Sequence, residues 1–522
     1  MAESTTDQPS DSGFGRLRSF LWPVHFHELK KLLPMLFIFF FICFNYNLLR
    51  TAKDALVVTA KGSGAQVLPF IKMWVTLPSA FLITMLFSWL NNRFKKEHVF
   101  YILNTLFLSF FVLFITVLYP FQDSLHPERF ADWMSANLPP GFSGMIAMIR
   151  NWTFTAFYVF ADLWSSIMLH LLFWGFANDV TTVSESKRFY SLFGIAANSS
   201  GVVAGVISIY ISYLGASRFF PTLSPLTTSL TLLCATLVGI CLISMGLFYY
   251  LNKYVLSNPA YTSERVMSNL KKPKIKMSIF ENFRYLARSK YLLLVSMIVL
   301  GYNIAINLVE VLWKHKLHQL VQSPIAFNAY MGKVNIITSV LATITAIFVS
   351  GNVIRRFGWT ISALITPVIF AITACGFFGF SLFGTESITL PMVGTVSTLA
   401  IAVFFGSAQN CVSRAAKYTL FDPTKEMTYI PLSAESKLKG KAAIDGVGSR
   451  LGKSGGALIY QFLYITVSSS MAALTPAVGL ILFGVIAMWM GSIRSLGHRF
   501  AEASRKEAQG EIADENDLPA NA

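Results

Sequence analysis

Long apolar runs with almost no charge inside them recur along this chain, and the core of a soluble domain cannot absorb so many. A helix crossing the ~30 Å hydrocarbon layer of a bilayer needs about 20 predominantly apolar residues. Runs of that kind fall at 33–49, 68–90, 99–119, 146–175, 189–214 and 226–251, and again at 291–313, 331–350, 359–383, 390–412, 446–467 and 473–493. A polar, basic connection over 253–288 separates the sixth run from the seventh. Segment 120–145 is too polar and Pro-rich to span and is expected in or on the membrane interface. Of the 522 residues, 54% are hydrophobic and only 13% charged, against ~25% charged in soluble domains. A soluble enzyme, a disordered chain and a secreted disulfide scaffold are excluded. The expected fold is an all-α polytopic membrane protein of about twelve transmembrane helices in two six-helix bundles.

The division predicts an N-terminal tail over 1–30, a first bundle over 31–252, a basic linker over 253–288, a second bundle over 289–495 and a polar tail over 496–522. The five cysteines lie in apolar runs without ligand spacing, so neither a disulfide nor a metal site is expected, and no cofactor is implied. The opening MAESTTDQPSDSG is acidic and polar, unlike a signal or transit peptide. A bacterial inner membrane is therefore the expected location. Basic residues cluster in the even-numbered connections (Arg93, Lys95, Lys96; Lys187, Arg188; the KKPKIK stretch; Arg355, Arg356; and 414–450), which predicts both termini on the cytoplasmic side. Two connections break that rule at corresponding places in the two halves. The first holds Arg50, Lys53 and Lys61, and the seventh holds Lys314 and Lys316. With 42 Lys and Arg against 26 Asp and Glu, the chain carries a formal +16. Misplaced basic residues suit either a path for anions or interfacial snorkelling.

An ionisable side chain at membrane depth is costly, so each one is a functional candidate. Lys72 lies about a turn inside the second run, and Lys333 enters the eighth in a similar place. Lys72 either faces an anionic substrate or pairs structurally with Asp162 or Glu310. Asp162 and Glu310 sit within the fourth and seventh runs; they can hold bases in place, switch partners as a gate, or couple protons. His170 reads as a packing histidine and Arg150 as an anchor at the start of the fourth run. Segment GVGSRLGKSGG carries Arg450 and Lys453 but has Val447 where a nucleotide-hydrolase loop requires Gly, so ATP hydrolysis there is rejected. Its glycines still permit close backbone approach beside positive charge. The equivalent stretch of the first half, FYSLFGIAANSSGVVAG, offers Asn198, Ser199 and Ser200 as neutral donors, or else packs helices tightly through its small residues. Among 46 Phe and other aromatics, Phe157, Tyr158, Phe193 and Tyr302 lie on segments from which a ring could stack on a base.

Six spans, a central basic loop and six more is the layout of a major-facilitator-like transporter, with substrate at the midplane. The runs LLRTAKDALVVTAKGSGAQVLPFIKMWV, INLVEVLWKHKL, AKYTLFDPTKEMTYIPL and KLKGKAAIDGVGSRLGKSGGALI resemble the ATP/ADP translocase family of plastids and obligate intracellular bacteria, and most resemble its chlamydial members. The resemblance runs from about residue 20 to about residue 495. It implies an antiporter that exchanges external ATP for internal ADP by alternating access. The bilayer and these nucleotides are then its partners, phosphate is a possible companion of ADP, nucleic acid has no role, and the unit is a monomer. It implies functional charges at Lys72, Asp162, Glu310 and Lys453 and a substrate-binding asparagine at Asn198. The charge pattern itself adds Arg50, Lys53 and Arg450 to the phosphate set and Lys333 to the gating set. The competing expectation is a proton-coupled importer of several nucleoside triphosphates.

Overall fold

A backbone inside a bilayer must satisfy its polar groups within its own segment, which leaves helices as the economical solution here. In a computed structural model the protein is described over residues 24–181, 183–216, 224–257, 289–348, 350–384, 387–390, 394–432, 440, 444 and 449–508. The first half contributes α1 (Leu29–Val58), α2 (Val67–Arg93) and α3 (Lys96–Leu118). The short α4 (Glu128–Asn137) and α5 (Ser143–Arg150) follow, then α6 (Trp152–Val180), α7 (Val183–Ala216) and α8 (Pro225–Val255). The second half contributes α9 (Lys290–Leu320), α10 (Pro324–Phe348), α11 (Ser350–Phe383), α12 (Thr398–Ala416), α13 (Ser449–Thr466) and α14 (Met471–Ala508). A two-stranded antiparallel hairpin, β1 (Ser387–Leu390) and β2 (Gly394–Ser397), precedes α12.

Ten of these helices are long and apolar enough to cross a membrane. Apart from the short α4 and α5, the described helices that fall short are α12 and α13. Both carry polar side chains through their middles because they face the interior described below, which lowers their mean apolarity. Local chemistry sets several boundaries. Ser224 caps α8 by accepting from Thr227 N at 3.1 Å, with Pro225 in the first turn. Ser289 caps α9 and Ser397 caps α12 in the same way, each at 3.2 Å. The tenth apolar run therefore begins its helix at 398 rather than 390, because the hairpin takes the intervening residues. Gly358, at φ +75°, interrupts α11 just before the ninth run; only glycine adopts that conformation without a steric penalty. The fourth run is also divided, since α5 ends at Arg150 and α6 starts at Trp152. Segment 120–145 folds as short helices rather than as a span.

The halves meet through α7 against α10, α1 against α10, and α2 against α13. A methyl group on Gly205 would lie 2.8 Å from Gly332 O, and one on Gly201 would overlap Ser339 Oγ. Small residues thus let α7 and α10 approach closely, as helices in lipid commonly do. This is the packing alternative for the small-residue stretch around Asn198. All hydrogen bonds and ion pairs between described residues of the two halves lie from mid-depth toward the end where α1 and α9 finish. They include Asn328 Nδ2 to Ser208 and Ser212 Oγ, each 3.0 Å, Trp74 Nε1 to Gln461 Oε1 at 2.9 Å and Ser143 Oγ with Tyr464 Oη at 3.1 Å.

Candidate functional site

Between the halves lies a cavity of about 380 Å³, walled by α1, α2, α6, α9, α12 with its continuation to Tyr418, and α13. Three stretches of its wall are wound as wide π-type turns: Ile71–Thr76 with Lys72, Ser165–Phe173 with His170, and Lys417–Phe421 with Lys417 and Tyr418. Such turns displace side chains from the regular helical register and recur at functional sites.

Seven bases line the cavity: Arg50, Lys53, Lys72, Lys314, Arg414, Lys417 and Lys453. Asp54, Asp162 and Glu310 line it with them. Lys53 pairs with Asp162, and its ammonium also sits 4.1 Å above the Tyr158 ring. Lys314 Nζ lies 2.7 Å from Asp54 Oδ2 and 2.8 Å from Glu310 Oε1. Arg414 Nη2 reaches the same Glu310 oxygen at 3.3 Å. Lys417 is held by Asp422, just behind the wall, at 2.8 Å. Matching each of these four carboxylates to one base leaves Arg50, Lys72 and Lys453 without a carboxylate among the described residues. Lys72 donates to the neutral Asn307 Oδ1 at 2.7 Å.

The glycines of the GKSGG run work by packing. Methyl groups on Gly452 and Gly456 would lie 2.6 and 2.9 Å from the Cβ atoms of Asn303 and Asn307. Their absence lets α13 press against α9, which turns Lys453 into the cavity, within electrostatic reach of Asp162.

The sequence-derived residues are thus placed as follows. Arg50, Lys53, Lys72, Asp162, Glu310 and Lys453 come together on one cavity. Asn198 and Lys333 are not on its wall; Asn198 is half-buried in α7, and Lys333 is exposed on α10. Lys333 therefore has no spatial equivalence to Lys72, because the eighth run presents that position outward. The side chain of Arg450 lies outside the described residues. Arg50, Lys53, Lys314 and Lys316 lie within α1 and α9, so they do not belong to connections beyond those helices; only Lys61 is in a connection, 3.4 Å from Glu128. His170 lines the cavity rather than packing in the core, with Nδ1 2.7 Å from Ser165 O. Arg150 is clipped by Glu128 at 2.6 Å and Asp132 at 2.7 Å, on the outer insert. Burial at that insert works against its charge, but the two carboxylates prevail and raise its pKa.

Sequence reasoning missed Asp54, Asn307, Arg414 and Lys417. Ending the tenth run at 412 assigned Arg414 and Lys417 to a basic loop, whereas the helical course continues unbroken through Met427. A helical projection extended from Gln409 would have kept both on the polar face.

The fold alone resembles solved transporters. A bacterial homologue of the iron transporter ferroportin, in an inward-facing state, superposes with a TM-score of 0.56 at 14% identity, over 90% of this chain and all of that one. A D-xylose–proton symporter gives 0.52 at 13% identity, over 94% of this chain and 99% of the symporter. Sequence relatives are far nearer. ADP,ATP carrier protein 1 of Chlamydia muridarum is 46% identical over 502 residues, covering 96% of this chain and 94% of the relative. The chloroplastic ADP,ATP carrier protein 2 of Arabidopsis thaliana is 42% identical over 480 residues, covering 92% of this chain and 76% of the relative. The model of one transporter family matches residues 7–500, nearly the whole chain, so this protein belongs to the TLC ATP/ADP transporter family.

Proposed function

We propose that this protein exchanges ATP for ADP across a membrane by alternating access, taking ATP in and returning ADP. The observation that carries the proposal is the trio Arg50, Lys72 and Lys453, three bases without carboxylates facing one cavity between two helical halves. Phosphate groups carry several negative charges and lose hydration on entry, which convergent ammonium and guanidinium groups replace. A cavity of about 380 Å³ also lies in the range of small-ligand sites. The names of the chlamydial and plastid relatives support the same substrates.

In this reading Arg50, Lys72 and Lys453 take the phosphates, with Lys53 released from Asp162 as they bind. Asp162 and Glu310 serve as exchangeable partners: they hold the bases while the cavity is empty and yield them to the nucleotide. An empty cavity then keeps three like charges unrelieved, which opposes reorientation, and either nucleotide relieves them. That asymmetry makes transport an exchange. Each cavity carboxylate has a cationic partner, which favours exchange over proton coupling. The contacts between halves close the end where α1 and α9 finish. With both termini cytoplasmic in a bacterial inner membrane, that end is the outer one and the cavity faces the cytoplasm. A monomer suffices, since the cavity is built from one chain.

The test is uptake of labelled ATP into proteoliposomes loaded with ADP, with GTP or with nothing, at equal pH on both sides. Uptake that depends on internal ADP is expected. Equal uptake in all three would refute obligate exchange, and uptake driven by an imposed pH gradient without internal nucleotide would select the proton-coupled importer.

A further inference from the structure

A nucleotide site needs a place for the base as well as for phosphates, and the cavity wall holds four described tyrosine rings, Tyr46, Tyr158, Tyr302 and Tyr418, beside the imidazole of His170, whose Nδ1 is engaged by Ser165 O at 2.7 Å. Two of them have no face to give. Tyr158 is 1% exposed, with the Lys53 ammonium above its ring. Tyr302 is 3% exposed and wedged against Phe421 and Trp489, ring centroids 4.9 and 5.9 Å away. Phe157 and Phe193, on segments that sequence reading had favoured, are fully buried in the helix packing. Tyr46 is half-buried against the core of α1. Tyr418 differs from the other three tyrosines: it is 48% exposed while lining the cavity.

Local structure explains the difference. Tyr418 sits in the wide turn Lys417–Phe421 that continues α12. In that turn Phe421 points into the core and packs on Tyr302 and Trp489, whereas Tyr418, three residues earlier, is left outside the core. The neighbouring Lys417 ammonium is fixed by Asp422 and lies 5.1 Å from the Tyr418 ring centroid. The ring is thus braced from one direction by a cation that is itself immobilised. The carboxylate-free bases Lys72 and Lys453 come from α2 and α13, while Tyr418 comes from the continuation of α12. Charges and ring thus stand on different helices of one cavity wall.

We propose that Tyr418 is the platform on which the nucleobase of the substrate stacks. This rests on the reading of the cavity as a nucleotide site. Stacking on an aromatic side chain tolerates any base, because every base has a π face. Tyr418 therefore supplies affinity for the base without choosing adenine over guanine.

The experiment compares ATP with inorganic tripolyphosphate, which keeps the phosphates and lacks the base, by calorimetric titration of the purified full-length protein. Proteins with Tyr418, Tyr418→Ala and Tyr418→Trp are titrated with both. Loss of one base stack is expected to weaken ATP about ten-fold or more in Tyr418→Ala, leave tripolyphosphate affinity unchanged, and be rescued in Tyr418→Trp. Equal weakening of both ligands, or no weakening of either, would overturn the proposal. A parent protein that binds neither ligand would instead refute the nucleotide site itself, so the two failures are told apart.

Discussion

The ammonium of Lys314 on α9 lies 2.7 Å from the carboxylate of Asp54 on α1, and both side chains are 2% exposed. The pair joins the two halves at the cavity wall, and in the proposed alternating-access reading it lies at the closed end. Removing one partner of a buried pair can cost about 3–5 kcal/mol, and without Asp54 the Lys314 ammonium keeps only Glu310, which it shares with Arg414. Here that cost falls on the one conformation in which the halves touch at this end. Asp54→Asn should therefore shift the protein toward the state open at that end. Cysteines placed on the ends of α1 and α9 should become more reactive to a membrane-impermeant thiol reagent, and the distance between spin labels there should lengthen. An unchanged distance distribution would show that the pair is structural only.

Lys72 makes the second prediction. Its hydrogen bond to Asn307, at 2.7 Å, holds an ammonium that has no carboxylate of its own. A charge-assisted hydrogen bond contributes about 1.5–3 kcal/mol, so Lys72→Ala should weaken ATP binding by about ten-fold or more. Lys333→Ala, on the exposed face of α10, should stay within about two-fold of the parent. Titration of both variants with ATP checks the contrast, and equal losses would disconnect affinity from the cavity.

Much of this site was legible in the sequence because burial cost is a local property. Lys72, Asp162, Glu310 and Lys453 stood out as charges that lipid would not tolerate, and Arg50 and Lys53 as bases on the unexpected side of the first run. The pairing was not legible. Asp162 engages Lys53 rather than Lys72, and Glu310 engages Lys314 and Arg414, because which bases meet a carboxylate depends on helix rotation and on which helices adjoin. Arg414 and Lys417 were lost for a different reason. The tenth run was read as a span, but its apolar signal fades where the helix lines the polar cavity, so its end was drawn at 412 although the helical course continues through Met427. The outward position of Lys333 shows the limit of reasoning by internal repeat: equal depth in two halves does not fix the same face.

The α7–α10 seam gives a third prediction. A methyl group on Gly205 would lie 2.5 Å from Ile336 Cγ1 and 2.8 Å from Gly332 O. The second contact is with backbone, which cannot rotate away. Overpacking of this kind costs about 1–3 kcal/mol. Gly205→Ala should lower the thermal midpoint measured by tryptophan fluorescence in detergent, and Gly205→Val should lower it further. Gly239→Ala meets nothing within 4 Å and should leave the midpoint unchanged. Equal behaviour of the two alanine variants would mean that the seam yields without cost.

The last prediction concerns pH and lies on the insert between α3 and α6. His126 Nε2 is 2.7 Å from Thr153 Oγ1, and burial is the main influence on the ring, pushing its pKa below the usual 6.5. Glu128 and Asp123 act in the opposite direction without reversing the shift. The unfolded chain therefore takes up this proton at a higher pH than the folded one does. The contribution of neutral His126 is complete above pH 6.5 and is lost as pH falls through its lowered folded value. His126→Gln keeps a polar partner for Thr153 but cannot titrate. Between pH 7 and pH 5, on the basis of the ordinary histidine range, the parent should lose more thermal stability than His126→Gln. Parallel losses in the two proteins would place the acid sensitivity elsewhere, with the Arg150 clip to Glu128 and Asp132 the next site to vary.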